Sequence, residues 1–86
     1  MNLDSLHDRI ATIIKQQIVG IMLDLDINAL SLSSSMRDLG LNSIDRVDVI
    51  MNTLEALGQN IPLVEFASAR TLGDIVKIIG ERHVPK

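Results

Sequence analysis

Apolar residues recur at steps of three and four along the first part of the chain. This spacing predicts an α-helix from Leu3 to Ile21, because side chains three and four residues apart share one face of a helix. Asn2 or Asp4 could cap its start, and Gly20 would weaken its last turn. The residues of this face are Leu3, Leu6, Ile10, Ile13, Ile14, Ile18 and Ile21.

Apolar and polar residues alternate in the first half of residues 23–42. Alternation is typical of a strand, but no second alternating segment follows that could pair with one. We therefore predict a long ordered loop that is packed against the core rather than structureless. The apolar residues expected to reach the core are Leu23, Leu25, Ile27, Leu30 and Leu32.

A second helix is predicted from Ser43 to about Leu57, with Gly58 in the position where glycine commonly ends a helix. At one residue per ~100°, its apolar residues span an arc of about 140°, which is wider than a single core needs. One edge of the arc is therefore expected to stay exposed for a partner. The arc contains Ile44, Val47, Ile50, Met51, Leu54 and Leu57, and the opposite side carries Asp45, Asp48, Asn52 and Glu55.

The last third of the chain predicts a short helix and a longer one. Ile61-Pro62 breaks the chain, and Leu63 to Ser68 could form a short helix. Thr71 should start the last helix, with Asp74 three residues later in a capping-box arrangement. Leu72, Ile75, Val76 and Ile79 have helical spacing, and Gly80, Arg82 and His83 suit its end. We expect one all-α domain over residues 1–86, a four-helix bundle of three longer helices, one short third helix and a long first loop.

Composition narrows the function. The chain has 86 residues, 47% of them apolar and 1% aromatic, with no cysteine and a net charge of −3. The missing cysteines exclude disulfides, thiolate metal sites and cysteine nucleophiles. The acidic balance disfavours nucleic acid and anionic membrane surfaces as partners. No apolar run approaches the ~20 residues of a membrane span and no signal peptide is apparent, so we expect a soluble, cytoplasmic protein.

Little in the chain predicts catalysis or metal binding. His7 and His83 have no serine or cysteine partner at a known motif spacing, which favours ordinary surface histidines. Asp24 and Asp26 lack the glycine and terminal glutamate of an EF-hand loop, so a solvated loop is expected there. We predict no catalytic residue and no metal site.

Ser43 allows two interpretations. Serine is a favoured N-cap, worth about 1 kcal/mol, and capping alone would explain it. However, Gly40 permits a tight turn that could lift the hydroxyl outward, and the N-terminus of the helix behind it would suit a phosphate ester. The apolar arc begins at Ile44, so a group attached at Ser43 could lie along it. The residues alone leave capping and attachment equally open.

The segment D-L-G-L-N-S-I-D-R-V-D-V, residues 38–49, resembles the motif of acyl carrier proteins, usually Asp-Leu-Gly-x-Asp-Ser-Leu-Asp followed by an acidic and apolar helix. The resemblance covers nearly the whole chain, because the predicted elements occur in the order found in that family. It implies that a phosphopantetheinyl transferase moves 4′-phosphopantetheine from coenzyme A to Ser43. The arm would then carry an acyl thioester, and the protein itself would be a shuttle rather than an enzyme.

By the same resemblance, the partner enzymes should meet the start and outer edge of the second helix. For Val47 and Met51 a core position is an equally good interpretation. The expected partner residues are Asp38, Leu41, Asn42, Ile44, Asp45, Arg46, Val47, Asp48 and Met51.

Departures from the family pattern narrow the subfamily. Asn42 replaces the usual aspartate, Arg46 stands where many carriers are neutral, and Leu54 and Ala56 replace acidic residues of fatty-acid carriers. The segment N-S-I-D-R-V-D-V-I-M-N-T-L-E-A-L-G is most similar to stand-alone donor carriers of polyketide β-branching. Those donate acetyl to an HMG-CoA-synthase-like enzyme, and are supplied by an acyltransferase or a decarboxylating ketosynthase-like enzyme.

Three alternatives remain beside this interpretation. The first is a general fatty-acid or polyketide chain-extension carrier, and a fatty-acid carrier would have a more acidic second helix. A peptidyl carrier would have Gly-Gly-x-Ser at the attachment site, which Leu41-Asn42-Ser43 does not match. An unmodified helical interaction domain would keep Ser43 only as a cap. No oligomerisation signal is apparent, and a monomer is expected.

Overall fold

The computed structural model describes residues 3–82, and the side chains from Ser5 onward. These residues form three α-helices, α1 (Leu3–Ile21), α2 (Ser43–Leu57) and α3 (Leu72–Arg82), and two 3₁₀ turns, Ile27–Ala29 and Leu63–Phe66, with no strand among them. The all-α class is confirmed, but the count of four helices is wrong. The predicted short helix is the second 3₁₀ turn, in which the N–H of Glu65 donates to the carbonyl of Pro62 at 3.0 Å. Asn2 and His83 lie outside the described residues.

α1 is the centre of the molecule, because it packs against both α2 and α3. Ile10, Ile14 and Ile18 are fully buried, and Leu6 continues their row. Ile13 is half-buried and Ile21 is exposed, so the face is narrower than the apolar pattern indicated. A narrow isoleucine row facing two helices lets side chains interdigitate at close-packed density.

The buried face of α2 differs from the predicted arc. Its innermost residues are Val49 and Thr53, neither of which the prediction placed in that arc, followed by Ile50 and Leu54. Thr53 tolerates burial because its hydroxyl donates to the carbonyl of Val49 at 2.7 Å, which satisfies the polar group within the helix. The core therefore covers one edge of the apolar arc of α2, and the other edge is exposed to solvent.

The ends of α2 follow the sequence closely. Gly58 adopts the left-handed conformation at φ 67°, and the N–H of Gln59 donates to the carbonyl of Leu54 at 2.9 Å. This is a Schellman ending, which satisfies the carbonyls that the last turn leaves free.

The long loop between α1 and α2 packs differently from the prediction. Of the five apolar residues expected in the core only Leu30 is buried, whereas Leu23 is 82% exposed and Leu32 is 49% exposed. Met36 and Leu41 fill the core instead. The alternating pattern did not predict which residues are buried, because the 3₁₀ turn at Ile27–Ala29 changes the direction in which the following side chains point.

The loop is held on the N-terminus of α3 by backbone hydrogen bonds. The N–H groups of Leu72 and Gly73 donate to the carbonyls of Ser34 and Leu32, each at 2.8 Å. The first N–H groups of a helix have no partner within it, and here the loop supplies one. This contact fixes the position of the segment that leads to α2.

α3 is capped as predicted, although its first helical residue is Leu72. The N–H of Asp74 donates to the Thr71 hydroxyl at 3.1 Å, and the Asp74 carboxylate accepts the N–H of Thr71 at 3.1 Å. At the other end, Arg82 forms an ion pair with Glu65 of the second 3₁₀ turn.

Candidate functional site

A tight turn brings the chain to the start of α2. The N–H of Leu41 donates to the carbonyl of Met36 at 3.0 Å, and Gly40 between them has φ 100°. Glycine adopts such a conformation without steric cost, as the sequence predicted. Leu41, at 4% exposure, anchors the turn in the core. Its predicted place on the partner face is therefore not available, and Leu41 supports the site from beneath.

The residue that caps α2 is Asn42, so the interpretation of Ser43 as the N-cap is wrong. The Asn42 side-chain oxygen accepts the N–H of Asp45 at 2.8 Å. Asn42 also has the extended backbone of a cap, at φ −75° and ψ 175°. Ser43 is the first helical residue, one position past the cap, whose side chain accepts the free N–H groups of the first turn.

The Ser43 side chain is exposed, and its hydroxyl has no hydrogen bond to any residue whose side chain the structure describes. Since capping does not occupy this hydroxyl, it is accessible for esterification. The free N–H groups and the partial positive charge of the helix start favour a phosphate at this point. An exposed hydroxyl on a rigid helix start therefore fits the attachment of a phosphopantetheine arm.

An apolar edge extends along α2 from the serine. Ile44 is 72% exposed, Val47 38% and Met51 52%. The alternative that Val47 and Met51 are simply core is therefore wrong, because the core is filled by Ile50 and Leu54 from the same helix. The exposed side chain of Asp48 borders this edge, and Asp45 is half-buried at the first turn.

The apolar edge continues onto the second 3₁₀ turn, which sequence reasoning missed. Leu63 is 42% exposed and Val64 78% exposed, while Phe66 is buried. Leu63 and Met51 line the same shallow depression between this turn and α2. Within L-V-E-F, the pattern did not indicate which apolar residue faces inward, since a 3₁₀ turn has a different period from an α-helix.

A cleft of about 700 Å³ opens on the other side of α2, between the loop and the start of α3. Arg37, Arg46 and Arg70 all line it, and Asp38 is its one carboxylate among the described residues. Sequence reasoning selected Asp38 and Arg46 but missed Arg37 and Arg70. Their convergence comes from the loop folding onto α3, which no local pattern indicates.

The remaining candidates do not form a second site. His7 is half-buried rather than an ordinary surface residue, because its ring packs on Gly80 of α3. Asp26 accepts the N–H of Asn28 at 2.9 Å and caps the first 3₁₀ turn. Among the described residues no group of three or more His, Cys, Asp or Glu could hold a metal ion. No helix within residues 3–82 is long and apolar enough to cross a membrane.

Comparison with known proteins identifies a family and shows similarity to known carrier proteins. The family described as "Phosphopantetheine attachment site" matches residues 9–79. The polyketide biosynthesis acyl-carrier-protein AcpK of Bacillus subtilis (strain 168) is 24% identical over 74 residues, which are 86% of this chain and 90% of that protein. A solved structure of an acetyl-donor acyl carrier protein, in complex with the HMG synthase of the curacin biosynthetic pathway, matches with a TM-score of 0.81. That match has 28% identity and covers 94% of this chain and 99% of the other.

Proposed function

Because the chain belongs to the phosphopantetheine-attachment family of acyl carrier domains, we propose that Ser43 is the residue that bears its 4′-phosphopantetheine. The family assignment confirms the resemblance seen in residues 38–49, and identifies the chain as a carrier rather than an enzyme. The observation that carries the assignment of Ser43 is its exposed hydroxyl, which the cap at Asn42 leaves free. Loading joins the Ser43 oxygen to the pantetheine-bearing phosphorus of the coenzyme A pyrophosphate. The P–O bond to the second phosphate breaks, and adenosine 3′,5′-bisphosphate and the hydroxyl proton leave.

The attached arm supplies a thiol that holds an acyl group as a thioester. The protein's own residues then have three tasks: to fix the attachment point, to present a docking surface, and to keep the fold unchanged while partners alternate. A tethered acyl group reaches a docked enzyme at high effective concentration, so the protein needs no catalytic residue of its own.

We further propose that the chain is the acetyl donor to an HMG-CoA-synthase-like enzyme in polyketide β-branching. Support comes from the similarity to the AcpK carrier and to the acetyl-donor carrier of the curacin pathway. The weak acidity of α2, where Arg46 offsets part of the charge of Asp45, Asp48 and Glu55, also favours a restricted set of partners.

The docking surface of this proposal lies on α2 beside Ser43. Its apolar part is the exposed edge of Ile44, Val47 and Met51, and its charged and polar part is Asp38, Asn42, Asp45, Arg46 and Asp48. Methionine adapts to different apolar surfaces, which suits a carrier that must meet a phosphopantetheinyl transferase, an acyl-supplying enzyme and the synthase in turn.

The first test is loading. We expect the intact mass of the wild-type protein to rise by one phosphopantetheine on incubation with coenzyme A and a promiscuous phosphopantetheinyl transferase. Ser43→Ala should show no gain while remaining folded by circular dichroism. Ser33→Ala, which removes an exposed hydroxyl from the upstream loop, is the matched control and should load normally. Loading of Ser43→Ala would overturn the assignment.

The second test concerns the donor role. Acetyl-loaded protein is mixed with an HMG-CoA-synthase-like enzyme and an acetoacetyl-loaded acceptor carrier. We expect this protein to lose its acetyl group and the acceptor to gain the two acetyl carbons plus one water, because addition to the β-carbonyl is followed by hydrolysis of the thioester to the synthase. Retention of acetyl here, with transfer from a known donor carrier run in parallel, would leave a chain-extension carrier as the function.

A further inference from the structure

Arg46 is placed to meet whatever is attached at Ser43. It lies three residues later on α2, so the two Cβ atoms are separated by about 5–6 Å. Helical side chains lean toward the N-terminus of their helix, which for Arg46 is the direction of Ser43. The side chain is half-buried and lines the cleft between the loop and α3.

The Arg46 guanidinium has no fixed partner. Among residues whose side chains the structure describes, no carboxylate oxygen lies within 4.0 Å of it and no hydrogen bond engages it. Asp38 lines the same cleft but does not pair with it, and within the described part of the chain Asp45 and Asp48 form no ion pair either. A guanidinium with free donors, on a residue that is half-buried as a whole, can bind an anion through charge-assisted hydrogen bonds.

Asn42 adds no negative charge beside Arg46. An aspartate at this N-cap, the usual residue of the family pattern, would place a carboxylate at the start of the helix that carries Arg46. The amide is neutral, and its oxygen is already engaged with the N–H of Asp45. The departures at positions 42 and 46 therefore act together, since the first removes a competing charge and the second supplies the donor.

We propose that Arg46 binds the phosphodiester that joins the arm to Ser43, and that this pairing draws the start of the arm toward the cleft side of α2. Arginine presents its N–H groups in a planar fork that matches two phosphate oxygens, which makes the pairing directional. Arg37 and Arg70 add positive charge along the same cleft. The inference rests on the proposed attachment at Ser43.

The test compares the apo and holo proteins by nuclear magnetic resonance. We expect the Nε–H resonance of Arg46 to shift on loading, and by more than those of Arg37 and Arg70, which serve as internal controls in the same cleft. In the reciprocal measurement, the ³¹P resonance of the holo protein should shift in Arg46→Gln. It should move less in Arg70→Gln, which makes the same change of charge.

The outcomes separate the two proposals. An Arg46 resonance that moves no more than its controls, or a ³¹P resonance equally insensitive to both substitutions, would overturn the pairing while leaving the attachment at Ser43 intact. Failure of the wild-type protein to gain a phosphopantetheine would overturn both. Circular dichroism of each variant checks that a missing shift does not arise from unfolding.

Discussion

At the scale of single residues, the neighbouring residues Asn42 and Ser43 have different roles in the site. Asn42 caps the helix by accepting the N–H of Asp45, and Ser43 presents a hydroxyl that has no hydrogen bond to any residue whose side chain is described. This separation suits a carrier, because the serine can be modified without loss of the cap beneath it. The family pattern has aspartate where this chain has Asn42, and both residue types are good caps.

We therefore predict that Asn42→Ala lowers the free energy of unfolding by about 1 kcal/mol. Ser43→Ala should change it by less than ~0.5 kcal/mol, as is usual for an exposed residue without a structural contact. Urea denaturation of both apo variants measures the difference. A loss in Ser43→Ala as large as that in Asn42→Ala would show that the serine has a structural role.

At the scale of elements, the start of α3 joins two parts of the chain. Thr71 and Asp74 satisfy one another's backbone N–H groups, while the loop carbonyls of Leu32 and Ser34 satisfy those of Gly73 and Leu72. Each free N–H of the first turn that is paired in this way avoids the cost of an unsatisfied donor. The element is thus stabilised both by its own sequence and by the loop that leads to the site.

Asp74 makes this start sensitive to acid. The N–H groups of Arg70 and Thr71 donate to its carboxylate and hold the pKa of Asp74 below its ordinary value of 3.8. A carboxyl group with a depressed pKa stabilises the fold above the unfolded pKa, and that stabilisation is lost as the pH falls through the folded pKa. Asp74→Asn should therefore flatten the loss of stability below about pH 4.

Urea midpoints measured from neutral to acid pH check this prediction. Asp48→Asn on the exposed side of α2 is the control, since it makes the same change of charge outside the cap. An acid dependence of Asp74→Asn equal to that of the wild type would mean that the cap does not contribute to it.

Gly73 lies where α3 and the loop approach one another closely. A Cβ at this position would lie 3.0 Å from the Leu32 carbonyl oxygen and 3.3 Å from the Leu32 Cβ. The oxygen belongs to the backbone and accepts the Gly73 N–H at 2.8 Å, so the small shift that a Cβ requires would strain this bond. We predict that Gly73→Ala destabilises the protein and displaces the loop, against the general preference of helices for alanine.

Gly20 in α1 supplies the opposite case, because a Cβ there would meet nothing within 4 Å. Gly20→Ala should stabilise the protein by up to about 1 kcal/mol, the difference in helix propensity. If this is correct, thermal unfolding should show a lower melting temperature for Gly73→Ala and a higher one for Gly20→Ala. Equal shifts would mean that the loop contact has no energetic weight.

At the scale of the whole molecule, one row of isoleucines on α1 forms the buried core, while the apolar residues at the edge of α2 are exposed to solvent. Ile14 is fully buried between the helices, whereas Ile44 is 72% exposed beside Ser43, the proposed attachment site. Domains of this size have a total stability of only about 5–15 kcal/mol, so a single cavity in the row is a large fraction of it.

Ile14→Ala is expected to cost about 2–5 kcal/mol, as other buried isoleucine truncations do. Ile44→Ala should leave stability within ~0.5 kcal/mol of the wild type while weakening transfer to the synthase, since it removes exposed area from the proposed docking edge. Denaturation and the acetyl-transfer assay distinguish the two effects. A large loss of stability in Ile44→Ala would place that residue in the core.

The sequence alone determined the features that depend on local spacing. These are the bounds of α1 and α2, the glycines that end α2 and shape the turn before Ser43, and the Thr71–Asp74 cap. Each follows from the hydrogen bonding and steric limits of a few consecutive residues, which act wherever the segment lies. The resemblance of residues 38–49 to the carrier motif belongs to the same class, since it depends only on consecutive residues.

Only the tertiary structure decided what depends on contacts between distant segments. Met36 and Leu41 displaced Leu23 and Leu32 from the core because the loop is fixed on α3 by backbone bonds that no side-chain pattern indicates. For the same reason the arginines of the loop, α2 and the segment before α3 meet in one cleft. The backbone also decided which residue caps α2. Asparagine and serine are equally favourable N-cap residues, and only the backbone conformation places Asn42 outside the helix and Ser43 within it.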